Sequence, residues 1–211
     1  MSFLVWNCRG LGKPQKIREL GDLVRAQDPA VVFIAETLLD EARLKFLLGN
    51  FDHEQKHVVS KINQGGGLVL LWKFDFDISV TSSSLNHIDA VINTGKTNTW
   101  RFTGFYGYPE TQRHHESWTK LKHLNLCSSL PWLCAGDFNE IAKSHEKLGG
   151  RARPESQMKE FHDTLDECSF VDLGYEGPKF MWFKHLSGGI TVWERLDKAV
   201  ANPEWLTLFP C

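Results

Sequence analysis

Short apolar runs broken by polar residues recur along the chain, and their period changes from segment to segment. Phe3 to Trp6 is apolar and stops at Asn7, the pattern of a short strand with a polar exit. A turn-rich stretch from Gly10 leads to Pro14. Ile17, Leu20, Leu23 and Val24 then recur at helical spacing and predict an amphipathic helix over 14–28. Residues 30–35 predict a buried strand ending at Glu36, and residues 38–48 a second helix. From Phe51 to Tyr106 the period shortens to strands and turns, with turn signals at Gly65-Gly66-Gly67, Ser82-Ser83-Ser84 and Thr94-Gly95. Residues 67–72 and 100–105 are apolar enough for central strands, the second ending at Tyr106.

Residues 110–125 predict a helix on the periodic Trp118, Leu121 and Leu124. The apolar run 130–135 leads into Gly136-Asp137-Phe138-Asn139-Glu140, so Asp137 falls where a strand leaves the core. Residues 154–168 place Met158, Phe161, Leu165 and Cys168 on one helical face. Residues 180–185 and 190–193 predict a hairpin around Ser187-Gly188-Gly189. Asn202-Pro203-Glu204 has the cap-then-proline signature of a helix start. Strands interleaved with a few helices, without repeat or linker, predict an α/β fold with two sheet layers flanked by helices in one domain over 1–211.

Composition narrows the function classes. The formal net charge of −2 gives no global basic field, although Arg113, His114, His115, Lys120, Lys122 and His123, and again Lys143, His145, Lys147, Arg151 and Arg153, form local clusters. Each cluster alone reads as solvated surface. Five cysteines without Cys-x-x-Cys or zinc spacing, with Cys8, Cys134 and Cys168 beside apolar runs, suit a reduced intracellular setting. The apolar start is too short for a signal peptide, and no run approaches a membrane span. Gly65-Gly66-Gly67 precedes a strand and there is no G-x-G-x-x-G, which disfavours a Rossmann-type nucleotide site.

Four apolar runs end in a residue suited to metal or phosphate chemistry: Asn7, Glu36, Tyr106, and Asp137 with Asn139. Side by side with the right direction, these strand ends line one rim. Hard cations such as Mg²⁺ take oxygen ligands, usually one or two carboxylates completed by water and substrate phosphate. Glu36 and Asp137 are the natural candidates. Asn7 and Asn139 suit orientation of a water or phosphate oxygen, and Tyr106 suits donation to a non-bridging oxygen. Any one of these residues alone reads as the start of a loop.

Together the pieces resemble the endonuclease/exonuclease/phosphatase superfamily. The matching phrases are Trp6-Asn7, Glu36-Thr37, Tyr106 after an apolar strand, Gly136-Asp137-Phe138-Asn139 and Arg195-Leu196-Asp197, in the family's order. More narrowly, Trp6-Asn7-Cys8-Arg9-Gly10-Leu11-Gly12, Glu146-Lys147-Leu148-Gly149-Gly150, and Arg195-Leu196-Asp197-Lys198-Ala199 through Asn202-Pro203-Glu204-Trp205 are similar to the endonuclease domain of plant non-LTR (LINE-type) retrotransposons. The resemblance implies a four-layer α/β sandwich, two packed mixed sheets flanked by helices, and Mg²⁺-dependent hydrolysis of a DNA phosphodiester, with Mn²⁺ as an alternative ion. It implies Asp137, Asn139, Tyr106 and Asp197 as catalytic residues. Asn7, Trp182 and Arg195 are implied as substrate-binding, and Glu36, Asp137 and Asn7 as metal ligands. It further implies DNA as partner, a monomer without membrane contact, a nuclear site of action, and a reverse transcriptase domain in a full-length relative.

Three departures accompany the resemblance. The family's Asp of Arg-Leu-Asp orients a histidine in a later Ser-Asp-His phrase, and none of the nine histidines here sits in one. The expectation is therefore a C-terminally incomplete domain, lacking its last strand or strands, with little or no nuclease activity. Met181 stands where the plant elements more often carry Thr, and Arg9 where abasic-site enzymes carry Asp. Three function classes stay open: a retroelement DNA endonuclease, another phosphodiesterase or phosphatase of the superfamily, and a non-catalytic relic that at most binds nucleic acid.

Overall fold

The computed structural model describes residues 1–49, 51–62, 65–180 and 182–210. Met181 therefore lies outside the described residues. The chain divides into two compact units, Met1–Tyr106 and the residues from Gly107 onward.

The first unit begins with β1 (Phe3–Asn7), α1 (Pro14–Gln27), β2 (Val31–Ala35) and α2 (Glu41–Leu47). β3 (Gln55–Val59), β4 (Leu68–Trp72), β5 (Ile78–Ser84), β6 (His87–Ile92) and β7 (Trp100–Tyr106) complete it. One sheet has the order β1-β2-β4-β3, with β1 parallel to β2 and the other pairings antiparallel. β5, β6 and β7 pair antiparallel, with a bulge between Val80 and Ser82.

β2 and β4 are buried along their whole length because both faces are covered. Val32, Ile34, Val69 and Leu71 join Leu20 and Leu44 of the helices, together with Cys8 and Leu11, in one core cluster. The opposite face meets β7, where Phe102 packs on Phe3 (centroids 4.7 Å) and on Phe33 (6.4 Å, edge-on). Gly104 of β7 lies over the Phe33 ring so closely that a Cβ would collide with it. Helices, mixed sheet and antiparallel ladder thus form successive layers within this unit.

The second unit carries α3 (His114–Leu126), β8 (Trp132–Asp137), β9 (Lys147–Leu148), α4 (Glu155–Glu167) and β10 (Val171–Asp172). It ends with β11 (Trp182–His185), β12 (Thr191–Glu194), β13 (Asp197–Ala201) and α5 (Pro203–Leu208). β13 pairs antiparallel with β10 on one side and β8 on the other, and β11-β12-β9 form a small antiparallel sheet. Trp118 of α3 stacks on Phe161 of α4 at 4.5 Å, and Phe138 leans on the same ring at 5.5 Å.

The expected α/β class, mixed sheet flanked by helices, is what forms. Some boundaries differ. α2 starts at Glu41, because Leu38 is left-handed (φ 56°) and Asp40 is the cap, accepting from Arg43 N at 2.8 Å. Residues 111–113 form a separate 3₁₀ turn, so α3 begins at His114. Ser82-Ser83-Ser84 is not a turn but the end of β5. Leu23, expected on the buried face of α1, is exposed, while Leu20 is fully buried.

Candidate active site

In the first unit, β1 and β2 are parallel and in register, so Asn7 lies beside Ala35 and both strands exit at one end. This is where parallel strands commonly present functional groups. Asn7 Oδ1 accepts from Arg9 N at 3.1 Å, which shapes the turn after β1. That turn grips the end of β2. Gly10 N donates to Glu36 O (2.8 Å), Leu11 N to Thr37 O (2.9 Å), and the Cys8 thiol to Ala35 O and Glu36 O (3.4 Å each). Burial pushes the Cys8 thiol up to about 12, so it stays a protonated donor. From the other side, Thr37 N and Leu38 N donate to Gly67 O and Gly66 O. Glu36 is held between them at φ 58°, a left-handed conformation that a non-glycine residue keeps only when its surroundings over-determine it. Tyr106 ends β7. Its N–H donates to Asn86 O, and Asn86 Nδ2 donates back to Tyr106 O, both at 2.8 Å.

In the second unit, Asp137 is the last residue of β8 and Asp197 the first of β13, and the register sets them directly opposite. Phe138 N donates to Leu196 O at 3.0 Å, which makes Asp137–Asp197 a non-hydrogen-bonded pair. In such pairs the Cα atoms approach to about 4.5 Å and side chains project to the same face, closer than in the alternate pairs. Two carboxylates so placed repel, and a cation or hydrogen-bond donors between them removes the repulsion. Asp137 is 3% exposed and Oδ1 accepts from Asn139 N at 2.8 Å. Asn139 is itself left-handed (φ 56°), and its Nδ2 donates to Gly107 O at 2.8 Å. Gly107 N in turn donates to Asp137 O at 2.8 Å. The Asp137–Asn139 turn is thereby fixed in orientation.

Behind that turn runs a charged network that takes in His114, Lys147 and Arg153, members of the basic clusters that the sequence alone reads as solvated surface. Glu140 is fully buried. Its Oε1 accepts from Ile141 N (2.8 Å) and lies 2.9 Å from Arg153 Nε, and Oε2 lies 3.2 Å from His114 Nδ1. Arg153 also reaches Glu194 at 2.9 Å, and Lys147 pairs with the same carboxylate. Arg195 is not at the surface: it is 7% exposed, donates to both Asp172 oxygens (2.7 and 2.8 Å) and to Glu146 Oε1 (2.7 Å). Lys198 Nζ, fully buried, donates to Glu146 Oε1 at 2.6 Å. Burial alone raises Glu146, but the Lys198 charge, with hydrogen bonds from Lys198, Ala142 and Arg195, outweighs it and holds the carboxyl below its ordinary value. For Asp172 too, burial is outweighed by the Arg195 hydrogen bonds, and the carboxyl is lowered. Trp182 begins β11 opposite Glu194 and is half-buried, while Trp193 packs on Phe183 at 4.8 Å.

Asp137, Asn139 and Asp197 are therefore brought together in the second unit, and Asn7 and Glu36 in the first. Among the described residues no group of three or more His, Cys, Asp or Glu side chains converges as a metal cage. An oxygen-only pair of carboxylates still fits Mg²⁺, which dehydrates reluctantly and takes one or two carboxylates plus water.

The chain belongs to the Endonuclease/Exonuclease/phosphatase family, whose profile matches residues 4–210. No curated protein matches it in a sequence comparison. Among solved structures it is similar to the endonuclease domain of TRAS1, a telomere-specific non-LTR retrotransposon (TM-score 0.68, 14% identity, 97% of this chain and 86% of that one). It is similar as well to the AP endonuclease LMAP from Leishmania major (TM-score 0.70, 16% identity, 96% and 79%). A third is the 3′ phosphatase NExo from Neisseria bound to a product DNA hairpin (TM-score 0.68, 15% identity, 96% and 87%).

Proposed function

We propose that this chain is a retrotransposon-derived, Mg²⁺-dependent DNA endonuclease domain that hydrolyses a phosphodiester. The observation that carries the reading is the Asp137–Asp197 pair, two carboxylates opposed at the end of β8 and β13 with Asn139 locked in the following turn. When bound, a divalent ion supplies charge that polarises the scissile phosphate and stabilises the leaving oxygen. Asp137 orients the attacking water or holds the ion, and Asn139 steadies that geometry. Asp197 keeps a second negative charge on the same face. Glu36, pinned in its left-handed turn, is a metal ligand. Asn7 and Tyr106 bind and position phosphate oxygens, with Trp182 on the substrate side; Arg195, expected from the sequence to bind substrate, is instead buried with its guanidinium held by Asp172 and Glu146. DNA is the partner, the chain acts as a monomer in the nucleus, and a reverse transcriptase domain accompanies it in a full-length relative. No helix among the described residues is long and apolar enough to cross a membrane.

Support comes from the relatives' chemistry. One is a retrotransposon endonuclease domain, and another is bound to a DNA product. A substrate panel tests the choice: supercoiled plasmid, an abasic-site duplex, an inositol phosphate and sphingomyelin, each with Mg²⁺. The expected result is turnover of DNA alone. Preferential turnover of the inositol phosphate or sphingomyelin replaces this reading with another phosphodiesterase of the family.

A further inference from the structure

Two phrases singled out in the sequence, Glu146-Lys147-Leu148-Gly149-Gly150 and Arg195-Leu196-Asp197-Lys198, contain residues to which the proposed reaction gives no role, and the fold joins them. Arg195 N donates to Glu146 O at 2.9 Å. Glu146 Oε1 accepts from both Arg195 Nη1 (2.7 Å) and Lys198 Nζ (2.6 Å), and Glu146 Oε2 accepts from Ala142 N (2.7 Å) and Lys143 N (3.3 Å). Glu146 is 3% exposed. One buried carboxylate therefore holds the residues on both sides of Asp197 and, through Ala142 and Lys143, the loop that follows Asn139.

Lys198 faces Gly136 in the register, one step from the Asp197–Asp137 pair. Neighbouring strand residues project to opposite faces. Lys198 and its Glu146 partner thus anchor the side of β13 opposite the Asp137–Asp197 face. Gly149 closes over the Thr191 carbonyl, where a Cβ would collide, so the β9 end of the phrase is confined too.

We propose that Glu146 is a positioning residue: it sets the entry of β13 so that Asp197 stands opposite Asp137. Residues that orient a metal ligand without touching the ion commonly change metal affinity about 10–100-fold when removed. The inference rests on the reading of the Asp137–Asp197 pair as a divalent-cation site, so its test carries one readout with metal and one without.

The variants are Glu146→Gln, which keeps size and removes charge, Asp197→Asn, and Leu165→Ala, a cavity in α4 that lowers stability away from β13. The first readout is Mn²⁺ binding to the folded protein, by electron paramagnetic resonance. The second is amide hydrogen exchange, in the absence of metal, at Phe138 and at residues 198–200. Glu146→Gln is expected to weaken Mn²⁺ about 10-fold or more and to speed exchange at these amides beyond that in Leu165→Ala compared at equal global stability. Leu165→Ala is expected to keep the wild-type Mn²⁺ affinity. Equal exchange in Glu146→Gln and Leu165→Ala overturns the positioning role. Faster exchange in Glu146→Gln, with Mn²⁺ binding untouched by Asp197→Asn, upholds the positioning role and overturns the cation reading.

Discussion

At the scale of single residues, the second unit concentrates its electrostatics in a few buried carboxylates. Glu146 compensates two buried cations, so Glu146→Ala leaves Lys198 and Arg195 short of a partner. Breaking a buried pair in this way typically costs about 3–5 kcal/mol, and chemical denaturation of the variant checks it. The same carboxyls set an acid limb. Glu146 and Asp172 lie below their ordinary values of 4.5 and 3.8. Their stabilisation is complete above those values and is lost as pH falls through the lower folded ones. Melting temperature is expected to hold through the weakly acidic range and to fall below about pH 4, less steeply in Glu146→Gln. Asp137 and Asn139 were legible in the sequence because a strand-ending apolar run immediately precedes them. The ion network was not. Lys147, Arg153 and Lys198 meet partners 47, 41 and 52 positions away, and from sequence the first two read as a solvated basic cluster.

At the scale of elements, one asparagine joins two of them. Asn202 caps α5 by accepting from Trp205 N (3.0 Å), accepts from Trp132 N at the start of β8 (2.8 Å), and donates to Leu130 O (3.3 Å). Asn202→Ala removes a cap together with the bonds to Trp132 N and Leu130 O, an expected loss of about 2–4 kcal/mol in an unfolding titration. In the first unit, Gly104→Ala forces a methyl into the Phe33 ring and is expected to cost about 1–3 kcal/mol by overpacking. Elements with long apolar runs or clear caps, β2, β4, β8, α1, α4 and α5, were readable to within a residue or two. β3, β5 and β6 were not placed, because Gln55-Lys56-His57 and Thr81-Ser82-Ser83-Ser84 are polar strand residues that carry no buried alternation. What makes these segments strands is pairing with β4 and β6, a long-range fact that local pattern does not contain.

At the scale of the whole molecule, family membership was legible because its phrases occur in order along nearly the entire chain, although no phrase is specific alone. Fold class followed from the same order. The proposed reaction rests on the strand-end carboxylates, and one assay separates three outcomes: a DNA endonuclease, another phosphodiesterase, or a non-catalytic relic. The direct measurement is conversion of supercoiled plasmid to nicked circles by wild type and by Asp137→Ala, each with Mg²⁺ and with EDTA. The account predicts nicking by the wild type that requires Mg²⁺ and falls about 100-fold or more in Asp137→Ala. Wild type and Asp137→Ala traces that coincide in Mg²⁺ contradict it.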